Sequence, residues 1–324
     1  MSGSGRRVAL ALGGGGARGY AHIGVIRELE RRGFEIAGIA GTSMGSLVGG
    51  LYAAGRLAPY TEWAEKLTQR DVIRLLDPTI SGPGMVRAER VLDKVTELVG
   101  DTVIEDLPLP FTAVATDLTA RKEVWFQRGR LDTAIRASIA IPGVMTPVVV
   151  GGRLLADGGL MNPVPVVATA AIPADLTVAV SLSDESGPGV GATSVGVVEA
   201  AGDAEGDQAA IRPESDLARS VRSWLESIRG QVQDESEPAI EAVPPGRPFE
   251  RPPAGLRTRD VLDLSLDAMR TVMGRYRLAG YPPDVLISIP RRAAGTMEFH
   301  RAAELIAVGE ELTRAVFGDL EQTK

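Results

Sequence analysis

Gly41-Thr42-Ser43-Met44-Gly45 is the stretch whose residue types and spacing suit chemistry best. A serine hydroxyl is a useful nucleophile when a sharp strand-to-helix turn lifts it clear of a sheet. Such a turn crowds its neighbours, so glycine is needed on both sides, here Gly41 and Gly45. The helix that follows turns its N–H groups and the positive end of its dipole toward the reacting atom. A bare G-x-S-x-G also arises by chance, as an ordinary glycine-rich turn. Its weight here comes from context: residues 36–40 read as a buried strand before it, and small residues suited to a helix run to Ala54 after it.

A second stretch, Gly13-Gly14-Gly15-Gly16-Ala17-Arg18-Gly19, also stands between an expected strand and an expected helix. Consecutive glycine N–H groups can converge on the oxyanion of an acyl-transfer intermediate. Gly14-x-Gly16-x-x-Gly19 equally fits the dinucleotide fingerprint, which needs an acidic residue at the end of the next strand to hold a ribose. That strand ends instead in Gly41-Thr42-Ser43, with Glu35 before it, so the oxyanion reading is preferred.

The nucleophile also needs a base. A Ser-His-Asp triad calls for a late histidine, and the chain has only His22 and His300. His22 falls about a turn into the first expected helix, where packing or capping accounts for it. His300 falls inside the expected final helix beside Phe299 and Arg301. A carboxylate is the better candidate. Asp157 ends an expected strand and is followed by Gly158-Gly159; Asp117, at another strand end, is the weaker contender. Taken alone, Asp-Gly reads as a turn.

These groups need elements to hold them. Residues 8–12 and 36–40 read as buried strands, with helices over 17–32 and from the end of the Gly41–Gly45 turn to Ala54. That alternation predicts a parallel sheet covered on both faces. Residues 59–100 look helical and amphipathic, broken at Pro78 and at Ser81-Gly82-Pro83-Gly84. This stretch is a candidate cap in which Trp63, Leu67, Val72, Ile73, Leu75 and Leu76 either line an acyl channel or pack as core. Strands are expected at 111–116 and 123–127, a helix at 131–140, and a tight hairpin about Gly151-Gly152. A helix is expected over 163–171 and a strand over 176–182. After the insert described below come a helix over 259–278, a strand over 285–289 and a helix over 298–317.

Composition narrows the class. The chain of 324 residues is globular in make-up and carries a net charge of −7, without the basic stripe a nucleic-acid partner needs. It has no cysteine, which removes disulfides and thiolate metal sites, and two histidines do not make a histidine-rich metal centre. The apolar run at 8–12 is too short for a signal peptide, and no stretch approaches the roughly 20 apolar residues of a membrane span. A cytoplasmic protein with peripheral contact at the membrane is expected.

The chain resembles bacterial patatin-like phospholipases, in particular short members akin to the neuropathy target esterase group. The resemblance rests on 13–25 (GGGGARGYAHIGV), 41–45 (GTSMG), 137–147 (ASIAIPGVMTP) and 157–159 (DGG), in the family's order and spacing, and on the C-terminal runs 283–289 and 298–310. It implies a three-layer α/β/α fold with a mostly parallel central sheet, and a Ser–Asp dyad with Ser43 as nucleophile and Asp157 as base. It makes Gly14, Gly15 and Gly16 the oxyanion hole with Arg18 steadying the loop, and it implies a lipid or fatty-acyl ester as substrate, with no cofactor and no metal. Residues 6–184 are expected to form the catalytic core, and 258–324 a helix-strand-helix that completes it. Residues 185–257, rich in Gly, Pro, Ala, Ser, Asp and Glu, are the departure from the family. They are expected to be a flexible insert with one amphipathic helix over 215–229. A non-catalytic relative that keeps the fold is the alternative from a different class, and a dinucleotide-binding protein is a further one.

Overall fold

Val8, Leu10 and Leu12 alternate along strand β1 (Arg7–Leu12) and enter one large apolar core, while Ala11 between them enters a smaller cluster behind it. The period of two puts successive side chains on opposite faces, so a strand apolar throughout must be covered on both. The computed structural model describes residues 5–76, 84–86, 89–184 and 258–322. Residues 185–257, including the helix expected at 215–229, lie outside the described residues.

β1 is followed by α1 (Ala21–Arg31), β2 (Glu35–Thr42) and α2 (Met44–Ala53). Three further helices, α3 (Leu57–Glu65), α4 (Gln69–Leu76) and α5 (Glu89–Val99), fill the expected helical region. Then come β4 (Phe111–Asp117), β5 (Lys122–Phe126), α6 (Leu131–Ser138) and the hairpin of β7 (Val148–Val150) and β8 (Arg153–Asp157). β9 (Leu176–Asp184), α7 (Thr258–Gly280), β10 (Val285–Pro290) and α8 (Ala302–Gln322) complete the chain.

The main sheet runs β10-β9-β1-β2-β4-β8-β7, with β5 also on β4. The strands from β10 to β4 are parallel, and β5, β7 and β8 are antiparallel. The large core lies on one face under α1, α2 and α8. On the other face Ala11 and Ala179 pack against Val164, Val166 and the α7 residue Leu278. This is a three-layer α/β/α fold. α1 and α8 cross so closely that a methyl at Gly24 would meet the Ile306 carbonyl oxygen at 1.9 Å, and one at Gly309 the Ala21 carbonyl oxygen at 2.0 Å.

Three expectations needed correction. The first helix begins not at Ala17 but at Ala21, after a 3-10 turn over Gly16–Tyr20. The helical region 59–100 contains a strand, β3 (Gly84–Val86), which pairs in parallel with β6 (Gly143–Met145). The helix expected over 163–171 is only a 3-10 turn, Val166–Thr169. Pro165 disfavours the helical region for Val164 before it, and the Pro163 carbonyl accepts from the N–H of Gly14 at 2.9 Å. Among the described residues no helix is long and apolar enough to cross a membrane.

Candidate active site

Ser43 sits between β2 and α2 at φ 55, ψ −124, a backbone region that costs a non-glycine residue of order 1–3 kcal/mol. Its surroundings hold it there. A methyl at Gly41 would meet the Gly45 carbonyl oxygen at 2.4 Å, and one at Gly45 would meet that of Leu12 at 2.1 Å. Both glycines flanking the turn are therefore sterically required. The Ser43 N–H donates to Ser138 Oγ at 2.9 Å, and Ser138 Oγ donates to the Val114 carbonyl at 2.6 Å, so one buried hydroxyl ties the turn to β4. Ser138 belongs to the motif at 137–147, but nothing in its local pattern announced this bridge.

Asp157 reaches Ser43 through strand pairing. β2 pairs with β4 as far as Val114, and β8 pairs with it from Ala115 to Asp117. β5 already occupies one edge of Ala113–Asp117, so β8 must take the other, the edge β2 vacates. Running antiparallel, β8 ends on Asp157 opposite Ala115, just beyond where β2 hands over to the serine turn. The backbone of Asp157 is pinned on both sides: its N–H donates to the Ala140 carbonyl at 2.9 Å, and its carbonyl accepts from Thr116 Oγ1 at 3.0 Å.

The Asp157 carboxyl is buried, and burial raises its pKa above the ordinary 3.8. Opposing effects, largest first, come from the positive charge of Arg270, from the Ser43 hydroxyl and from the Gly159 N–H, which donates to Oδ1 at 2.7 Å. Oδ2 is buried with no hydrogen-bond partner among the described residues. The Ser43 hydroxyl lies close enough to act on this carboxyl, without closing a full hydrogen bond to it. Asp117, the other strand-end carboxylate, accepts from the N–H groups of Thr119 at 3.0 Å and Ala120 at 2.8 Å and serves a turn.

The glycine loop lies against the serine: a methyl at Gly14 would stand 3.1 Å from Ser43 Cβ. The Gly14 N–H is spent on Pro163, whereas those of Gly15 and Gly16 have no backbone partner among the described residues. Arg18 is nearly buried. It donates from Nε to the Gly15 carbonyl at 3.2 Å and from Nη1 to the Arg291 carbonyl at 2.9 Å, bracing the loop from beneath. Burial, helped by Arg291, lowers its pKa to about 10, so it stays charged at neutral pH.

His22 is fully buried, and burial lowers its pKa to about 4. The neutral ring donates from Nε2 to the Gly13 carbonyl at 2.8 Å, which makes it a strut of the glycine loop. His300 lies in a 3-10 turn, Phe299–Arg301, just ahead of α8 rather than inside it. Among the described residues no three His, Asp or Glu side chains gather as a metal would require.

An apolar cavity of about 80 Å³ opens beside Ser43, lined among others by Tyr20, Leu47, Ile139 and Phe299. Trp63, Leu67, Val72 and Leu75 of the expected cap line it too. Ile73 instead points outward, and the Leu76 side chain lies outside the described residues.

A family model described as patatin-like phospholipase matches residues 10–170, a span holding the glycine loop, Ser43 and Asp157. The chain is 50% identical over 323 residues to the uncharacterized NTE family protein Rv1063c of Mycobacterium tuberculosis, covering 94% of this chain and 90% of that one. It is 39% identical over 162 residues to the NTE family protein Rv2565 of the same organism, covering 50% and 28%. Over 170 residues it is 39% identical to the patatin-like phospholipase domain-containing protein 6 of Mus musculus, covering 50% and 12%.

Proposed function

The chain belongs to the patatin-like phospholipase family, which makes it a lipid hydrolase in class, and from that premise we propose a serine acyl-hydrolase working through a Ser43–Asp157 dyad. The observation that carries the reading is the meeting of a serine on a strained strand-to-helix turn with a buried carboxyl of raised pKa, on which that serine acts as donor.

The steps follow from the geometry. Asp157 accepts the Ser43 proton as Oγ attacks an ester carbonyl, and a raised pKa makes the carboxylate a stronger base than an exposed one. The N–H groups of Gly15 and Gly16, which have no backbone partner among the described residues, stabilise the oxyanion, with the positive end of α2 behind the serine. Asp157 passes the proton to the leaving alcohol oxygen, and an acyl-enzyme remains. Water, deprotonated by the same carboxylate, then attacks the acyl carbonyl; the bond to Ser43 Oγ breaks, Asp157 returns the proton to Oγ, and the fatty acid is released. The apolar cavity beside Ser43 receives the acyl chain. The reading takes a phospholipid, lysophospholipid or similar fatty-acyl ester as substrate, met by a cytoplasmic protein in transient contact with the membrane surface.

A fluorophosphonate probe and Ser43→Ala test it together. The probe should label Ser43, and the variant should lose about 10³-fold or more in turnover across a chain-length series of esters while staying folded. Labelling at Ser138 or Ser46, or an unlabelled and inactive wild type, would sink the dyad and leave a non-catalytic member of the family.

A further inference from the structure

Arg270 lies on the inward side of α7, which packs against the turn Gly158–Leu160 immediately after Asp157. Its Nε and Nη2 are buried and have no hydrogen-bond partner among the described residues. Two further positions on the same helix show how unusual this is. At Gly274 the helix runs against Pro163, whose Cγ would be 3.6 Å from an added methyl. Arg277, one turn further, is paired with Glu123, and Glu123 also accepts from Asn162 Nδ2 at 3.0 Å. Along one face, Arg277 has its ion-pair partner, while Nε and Nη2 of Arg270 have no hydrogen-bond acceptor among the described residues, although its charge acts on Asp157.

Leaving buried guanidinium N–H groups without acceptors costs more than leaving neutral donors so, and an anion removes that cost. The two atoms left open define the kind of anion. Nε and Nη2 form one edge of the guanidinium, with two N–H bonds nearly parallel. That edge fits two oxygens of one phosphate or carboxylate.

Position then says which part of a substrate carries the anion. The inference rests on the Ser43–Asp157 reading, in which Asp157 hands its proton to the leaving oxygen, so the leaving alcohol departs on the Asp157 side. The acyl chain goes the other way, into a cavity whose lining does not include Arg270. The packing of α7 on the Gly158–Leu160 turn puts Arg270 on the same side of the site as Asp157, in keeping with the effect of its charge on that carboxyl.

We propose that Arg270 is a specificity residue that binds, through its Nε–Nη2 edge, a phosphate borne on the leaving alcohol of the ester. It selects phosphate-bearing esters over neutral esters of the same acyl chain. It touches the headgroup and takes no proton.

The test compares a monoacyl glycerophosphocholine with the monoacylglycerol of the same chain, both below their aggregation limits and at a pH above the acid limb of the activity profile. Arg270→Ala should lose about 10- to 100-fold in kcat/KM on the phosphate-bearing ester, mostly in KM, and less than about threefold on the neutral one. Arg270→Lys should recover only part, because an ammonium lacks the paired edge. Equal loss on both esters, or no loss on either, overturns the proposal. Binding is read separately from catalysis. Glycerophosphocholine should raise the melting temperature of the wild type and of Ser43→Ala, but not of Arg270→Ala. A shift that survives in Arg270→Ala, or its absence in the wild type, overturns the assignment whatever happens to the dyad; an unlabelled Ser43 overturns the dyad alone.

Discussion

Removing the Ser138 hydroxyl tests the account of the serine turn more sharply than removing the serine itself. In Ser138→Ala two buried groups lose their partner at once: the Ser43 N–H, held at 2.9 Å, and the Val114 carbonyl, held at 2.6 Å. Ser138 and Val114 are fully buried and Ser43 nearly so, which leaves little room for water to substitute. Each orphaned group costs about 1–3 kcal/mol, so for the two a loss of about 2–6 kcal/mol in unfolding free energy is expected. The built-in control is Ser46→Ala. Ser46 Oγ donates to the Ser43 carbonyl at 2.7 Å, but that carbonyl keeps the Ser46 N–H at 2.9 Å, so nothing is orphaned and the cost should be about 1 kcal/mol or less. Urea melts with unchanged slope supply the comparison. Activity should fall as well, by about 10- to 100-fold on a soluble ester, since a turn at φ 55 that loses the anchor of its own N–H no longer fixes the hydroxyl. If Ser46→Ala costs as much as Ser138→Ala, or if Ser138→Ala costs under about 0.5 kcal/mol, the bridge is not what holds the turn.

Asp157 carries a second prediction, in pH. Its folded pKa is raised above the ordinary 3.8, so the native state holds the proton more tightly than the unfolded chain does. Stability should therefore fall as pH rises from 3.8 through the raised folded value, and level off above it. Unfolding free energies of Asp157→Asn relative to wild type, measured across that interval, should show this contribution removed, and a wild-type contribution rising with pH would contradict the burial argument. Activity should rise through the same folded pKa, and Asp157→Asn should be nearly inactive, because an amide accepts no proton. Gly45→Ala should destabilise by about 3 kcal/mol or more, since the added methyl would stand 2.1 Å from the Leu12 carbonyl oxygen of a central strand; a melt within 1 kcal/mol of wild type would mean that α2 can slide away from the sheet.

What the sequence revealed was what is local. Gly41 declares the serine turn because the crowding it relieves comes from Gly45 and Ser46, within five positions, whereas Gly45 relieves crowding from the distant Leu12 and was read from the motif alone. Strands β1 and β2 are legible because a run apolar on both faces has few other uses. Asp157 was found through its Asp-Gly-Gly motif and the family resemblance; its approach to Ser43 depends on β8 taking the edge of β4 that β2 leaves free, which no window of sequence contains. The Ser138 bridge spans 95 positions and gave no local signal. The bond from the Gly14 N–H to the Pro163 carbonyl likewise joins residues far apart in sequence, beyond any local window. Gly14 was expected to offer its N–H to an oxyanion, and that same bond occupies it. Arg270 sits on a helix whose outward residues, such as Leu262, Met269 and Tyr276, are exposed and apolar, so periodicity gave no reason to single it out.

The position of β1 between β2 and β9 has a consequence for how the chain is made. β2 is synthesised within thirty residues of β1, but the other edge of β1 must wait for residues 176–184, and the cover of α1 must wait for residues 302–322. Until then a nascent chain already carrying Ser43 and Asp157 holds an open sheet edge and a bare helix face, both able to bind wrong partners. Closure of the last layer joins ends far apart in sequence, a slow class of contact.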